Sequence, residues 1–150
     1  MKTAIVVVDG LGGGLGAQIV SLLREKMGKE AEILALGTNS SATERMLKSG
    51  ADRGATGENA IRVSIGFGEF ILGPIGIAVP NSMLGEVSPA VAVAVTEARG
   101  ERILIPVSQS HFHLVGMEGR PVGRLVEDAV NRVLERVGAG NPLAEYDAGR

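Results

Sequence analysis

The run Ala4-Ile5-Val6-Val7-Val8-Asp9-Gly10-Leu11-Gly12-Gly13-Gly14-Leu15-Gly16-Ala17 restricts the possible folds more than any other stretch of the chain. Five apolar, mostly β-branched residues suit a strand buried on both faces. Five glycines then fall between Gly10 and Gly16, and Gln18 to Arg24 take up helical spacing. A nucleotide-binding α/β domain opens with this order of strand, glycine turn and helix. Glycines let the backbone approach a phosphate, and the helix N-terminus adds unpaired N–H groups and a positive dipole end.

Two glycine registers fit. Gly12-x-Gly14-x-x-Ala17 matches the dinucleotide fingerprint, and Gly10-x-x-x-Gly14-x-Gly16 has the spacing of short-chain dehydrogenase-like turns. The alternative is a tight β–α connection with close helix–strand packing and no ligand. No Gly-Lys-Ser/Thr follows the turn, which argues against a P-loop NTPase.

The second strand is predicted over Glu32–Leu36, after a helix stop at Gly28. An NAD-binding domain usually places a carboxylate at the end of this strand to hold ribose hydroxyls. Gly37, Thr38, Asn39 and Ser40 stand there instead. They can bind ribose or phosphate through neutral hydrogen bonds, helped by Arg45, or simply turn the chain and cap a helix over Ala42–Lys48. A short third strand is expected over Asp52–Ala55, and Thr56 is expected to cap a helix from Glu58 to Val63. Thr56, Glu58 and Asn59 then lie at the strand's C-terminal end, for ligand binding or for capping alone.

The fourth strand, Glu69–Leu72, runs into Gly73, Pro74, Ile75 and Gly76. Beyond it, Asn81, Ser82 and Glu86 sit among small residues in a second candidate binding segment. Its alternative is a helix connector that packs Met83 and Leu84 into the core. Ser88-Pro89 starts the next helix cleanly, and that helix, up to Ala98, shows so little polar surface that a second copy of the chain is a natural cover. A fifth strand is predicted over Glu101–Val107. His111 and His113 follow at a spacing that shares a strand face. No third ligand accompanies them, so a histidine at the sheet edge is preferred to a metal site. Val122, Leu125, Val126, Ala129, Val130, Val133, Leu134 and Val137 mark an amphipathic helix over Pro121–Val137. The division expected is one domain over residues 1–137 and a mobile tail over 138–150.

Five segments together resemble a small bacterial family of unknown function with a Rossmann-like domain. They are Asp9-Gly10, Ala35 to Asn39, Gly54 to Ala60, Gly73 to Ile77 and Asn81 to Glu86. The resemblance reaches nearly to the final helix and implies a fold but no activity. One departure is Leu11, where the resemblance implies a polar residue such as glutamine.

The fold expected is therefore one three-layer, Rossmann-like α/β domain with a mainly parallel sheet and helices on both faces. The segments after strands one, two and four converge on one sheet edge. There Asp9, Gly10, Gly12, Gly13, Gly14, Leu15, Gly16, Thr38, Asn39, Ser40, Gly73, Pro74, Ile75, Asn81, Ser82 and Glu86 form the candidate binding set, with Glu58 nearby. Asp9, Glu58, Glu86 or His111 supplies an acid or base if there is a reaction.

Composition narrows the classes. Aromatics are 3% of the chain and the net charge is −2 without a basic block, which argues against a nucleic-acid partner. No cysteine is present, which removes thiolate and disulfide chemistry. The short apolar N-terminal run is no signal peptide and nothing approaches a membrane span, so a cytoplasmic protein is expected. The sole tyrosine, Tyr146, has no lysine four residues on, so hydride transfer of the short-chain dehydrogenase kind lacks its proton donor. The leading reading is a binder of a nucleotide or dinucleotide, NAD(P)-like, or of phosphate, assembled as a homo-oligomer. The alternatives are a ligand-sensing regulatory module that turns nothing over, and an oligomeric structural protein without a nucleotide.

Overall fold

The structure, a computed structural model, describes residues 2–107 and 112–138. Five strands, β1 (Thr3–Asp9), β2 (Ala31–Gly37), β3 (Arg53–Thr56), β4 (Phe70–Pro74) and β5 (Glu101–Ile105), pair in parallel throughout. Their spatial order is β3-β2-β1-β4-β5. The chain steps outward from β1 to β3, then restarts at β4 on the other side of β1. The winding direction therefore reverses between β1 and β4.

Alternation along β1 builds two cores. Ile5 and Val7 pack with Ile19 and Leu23 of α1 (Gly14–Met27), Met46 of α2 (Ser40–Lys48) and Val130 and Val133 of α5 (Val122–Gly138). Val6 and Val8 pack on the opposite face with Ile61 of α3 (Glu58–Ser64) and Val91 and Val95 of α4 (Pro89–Glu97). All four β1 side chains are fully buried, each worth about 1.5–3 kcal/mol of burial. This is the three-layer, Rossmann-like α/β fold expected, with α1, α2 and α5 on one face and α3 and α4 on the other.

Local chemistry sets the helix starts. Asn39 Oδ1 accepts the Ala42 N–H at 2.9 Å, and α2 begins at Ser40, two residues earlier than expected. Ser88 caps Val91 at 3.2 Å with Pro89 in the first turn. Thr56 is not a cap. It belongs to β3 and its hydroxyl pairs with that of Thr43 at 2.8 Å, while Gly57, at φ 102°, precedes α3.

β5 ends at Ile105, because Pro106 has no N–H for the ladder. The segment after β4 is a succession of tight turns that buries Met83 but leaves Leu84 90% exposed, so the alternative of a helix connector packing both does not describe it. In α5 the ends of the expected apolar stripe, Val122 and Val137, are exposed, whereas Arg136 is buried. No helix among the described residues is long and apolar enough to cross a membrane. Of the tail expected over 138–150, Gly138 closes α5, while residues 139–150, Tyr146 among them, lie outside the described residues, as does His111.

Candidate functional site

β1 delivers Asp9 to the C-terminal edge of the sheet, where its carboxylate braces the glycine turn. Oδ1 accepts the Gly10 N–H at 2.8 Å and Oδ2 the Gly16 N–H at 2.7 Å. Gly13 N–H closes on the Gly10 carbonyl and Ala17 N–H on the Gly13 carbonyl, both at 2.9 Å. The N–H groups of Gly12, Gly14 and Leu15 have no protein acceptor among the described residues. They form the open end of α1, where the helix dipole favours an anion. Burial pushes the Asp9 carboxyl above its ordinary value. The Gly16 and Gly10 N–H groups oppose that shift, the Glu86 charge adds to it, and Arg45 opposes it.

The glycines of the turn divide by what a side chain would meet. A Cβ at Gly10 would lie 2.4 Å from Thr38 Oγ1 and 2.7 Å from Met83 Sδ. At Gly16 it would lie 2.6 Å from Met46 Sδ and 2.8 Å from Asp9 Cβ. Those two positions demand glycine for packing. At Gly12 and Gly14 the nearest atom is the flexible end of Arg45, at 3.9 and 3.5 Å, and neither residue has a left-handed φ. Neither packing nor backbone conformation asks for glycine there, and both residues face the open space at the head of α1.

Above the turn lies Glu86, carried in from the segment after β4. Its Oε1 accepts Leu11 N–H at 2.8 Å, Thr38 Oγ1–H at 2.6 Å and Asn39 Nδ2–H at 2.8 Å. Asn39 also donates to the Leu11 carbonyl at 2.8 Å. Partial burial pushes the Glu86 carboxyl up, but hydrogen bonds from Thr38, Leu11 and Asn39 outweigh it and hold the group below its ordinary range. Among the described residues, the non-glycine positions at positive φ are Leu11, Asn81, Met83 and Leu84, at 49°, 70°, 57° and 57°. Each costs roughly 1–2 kcal/mol, and all four belong to this turn and the segment over it.

Beside the turn a cleft of about 280 Å³ opens between the ends of β1 and β4, where the winding direction reverses. Its floor is the backbone of residues 9–15, and Pro74, Met83, Val107 and Val122 supply an apolar wall. The crevice at such a reversal is where open α/β sheets bind ligands. Arg45 reaches the turn from α2, its Nη1 3.5 Å from the Gly12 carbonyl, and shares an adjoining hollow with Ser41 and Lys48.

The structure thus gathers Asp9, Gly10, Gly12, Gly13, Gly14, Leu15 and Pro74 around the cleft, with Gly16 bracing the turn behind them and Thr38, Asn39 and Glu86 over its rim. Other expected members stand elsewhere. Ser40 opens α2, Gly73 packs against the Val8 carbonyl, and Ile75 begins a 3-10 turn beyond β4. Asn81 and Ser82 line a separate cavity of about 290 Å³ with Phe112, and the Ser82 hydroxyl donates to the Gly76 carbonyl. Glu58 accepts from Ser88 Oγ at 2.7 Å, and Asn59 faces the α3–α4 groove. His113 pairs with Glu118 on an exposed turn. Met83, Val107 and Val122 were not among the expected binding residues, because apolar side chains at strand and helix ends read as core.

The family model described as Domain of unknown function (DUF3842) matches residues 4–138, and the chain belongs to that family. No curated protein matches it. Among solved structures, the chain is similar to a dodecameric FMN-dependent UbiX-like decarboxylase from Escherichia coli O157:H7. The two are 16% identical, with 92% of this chain and 94% of that chain covered and a TM-score of 0.43.

Proposed function

We propose that this member of a family of unknown function binds a phosphate-bearing small molecule of the nucleotide type in the cleft between β1 and β4. The observation that carries the reading is the head of α1. Three backbone N–H groups, from Gly12, Gly14 and Leu15, find no acceptor among the described residues and stand beside a cleft at the winding reversal. Gly12 and Gly14 leave that backbone bare although a side chain would fit there. A phosphate seated at this point takes the N–H groups and the helix dipole, with the Arg45 guanidinium close by as a counter-charge. The apolar wall of Pro74, Met83, Val107 and Val122 then receives the less polar part of the ligand.

A thermal-shift series with inorganic phosphate, AMP, GMP, FMN, NAD and NADP tests this, with Gly14→Val in parallel. A ligand that binds only the native state raises its melting temperature. The expected result is a rise with at least one nucleotide that is lost in the valine variant. That variant should stay folded, because its Cβ meets only the end of Arg45. No rise with any of them at millimolar concentration would overturn the reading. Product analysis on the ligand that binds then separates an enzyme, which consumes it, from a sensing module, which does not.

A further inference from the structure

The donors of the glycine turn fall into two sets, and only one is open. Gly12, Gly14 and Leu15 line the cleft with N–H groups that have no acceptor among the described residues. Leu11 N–H, Thr38 Oγ1–H and Asn39 Nδ2–H, on the β2 side, all converge on one oxygen of Glu86, at 2.6–2.8 Å. An anion already occupies that second set, and the protein supplies it. From this division we infer that Glu86 is a specificity residue that restricts the site to ligands carrying a single phosphate and excludes dinucleotides. The inference rests on the nucleotide-type reading above.

The position of Glu86, its charge, the pinning of its segment and the space left beside it carry the inference. A dinucleotide laid across the winding reversal sends its second half over the end of β2, where a ribose is ordinarily held. Here that ground is covered by the segment bearing Glu86, and the Glu86 oxygen over it has three donors already. A second phosphate would also meet the charges of Glu86 and Asp9 at close range in a partly buried site, where repulsion is weakly screened.

The covering segment is also pinned. Asn81 N–H bonds the Val87 carbonyl at 2.7 Å, Val87 and Gly85 N–H bond the Ser82 carbonyl at 3.2 Å, and Met83 is buried under Gly10. Moving Glu86 aside means breaking this cluster. What remains open, about 280 Å³, is at the low end of small-molecule sites, which run from about 300 to 1,000 Å³.

Calorimetric titration of AMP and of NAD tests the point, because NAD is AMP extended by a second phosphate and nucleoside. Wild-type protein should bind AMP at least about tenfold more tightly than NAD, and Glu86→Ala should bring the two within about threefold by improving NAD. Wild type binding NAD as tightly as AMP would overturn the inference while leaving the nucleotide reading intact. So would loss of NAD binding in Glu86→Ala, which would make Glu86 a ribose acceptor. If neither compound binds and no other nucleotide shifts the melting temperature, both the inference and the reading beneath it fall. The wild-type comparison stands alone should the alanine variant fail to fold.

Discussion

The two edges of the sheet treat their carboxylates differently. At the edge where the strands begin, Glu69, Asp52 and Glu101 are tied to strand starts, and the last two also to arginine. Glu69 accepts the Ala4 N–H at 2.8 Å. Asp52 accepts the Ile33 N–H at 2.8 Å and pairs with Arg24 at 2.7 Å, and Arg24 also donates to the carbonyls of Gly28, Ala31 and Gly50. Buried Glu101, at the start of β5, receives Arg132 and Arg136 of α5, each at 2.9 Å. At the edge where the strands end, Asp9 and Glu86 are held by N–H, hydroxyl and amide groups, and Arg45 points at the glycine turn instead of pairing with either. One edge spends its charges on clamping strands to helices. The other turns Arg45 towards the Gly12 carbonyl and, among the described residues, leaves three backbone donors without an acceptor, on strained backbone, as a binding edge requires.

The largest effect expected from disturbing this contrast is at the clamped edge. Glu101→Ala takes the carboxylate from a buried arginine and should cost about 3–5 kcal/mol of stability, read as a fall in the denaturation midpoint. Ligand affinity of the protein that remains folded should not change. A large loss of affinity at unchanged stability would erase the division between the edges.

A smaller effect separates two glycines only two residues apart. Gly16→Ala forces a methyl group against Met46 Sδ and Asp9 and should cost about 1–3 kcal/mol. Gly14→Ala has room, so stability should hold while phosphate affinity falls; equal destabilisation by both would show that Gly14 serves packing.

The smallest effect is a pair of opposite pH dependences. Burial pushes Asp52 up, but the Ile33 N–H and Arg24 outweigh it and lower its carboxyl below 3.8. Its contribution is therefore present above that value and lost as pH falls through the lower folded value. Asp9 is raised, so its contribution is full below 3.8 and disappears as pH rises through the folded value. Asp52→Asn should accordingly flatten the acid limb of stability measured by urea midpoint. A steeper limb in that variant would contradict the assignment.

The layers were legible in the sequence because strand alternation and helix spacing are local signals. Val6 and Val8 against Ile5 and Val7, the Ser88-Pro89 start and the glycine turn all report neighbours a few residues away. Partners far along the chain were not legible. Glu86 was recognisable as a candidate, but its reach to Leu11, 75 residues earlier, depends on the path of a segment that holds Asn81, Met83, Leu84 and Gly85 at positive φ. The departure at Leu11 proved to matter through its backbone, which both donates to Glu86 and accepts from Asn39. The burial of Arg136 carried no local signal either, since its carboxylate partner Glu101 stands on β5, 35 residues earlier. Thr56, expected to cap, instead meets Thr43, because β3 runs one residue further than its composition suggests.

The most direct test of the central claim follows backbone amide resonances while AMP is titrated into the protein. The account predicts that Gly12, Gly14 and Leu15 shift most, with Leu15-side cleft residues following. Residues at the Glu101 clamp, and in the broad α3–α4 groove of about 750 Å³, should stay in place. Largest shifts at Val63 and Val93 in that groove, or no shift at the head of α1 at saturating ligand, would contradict it.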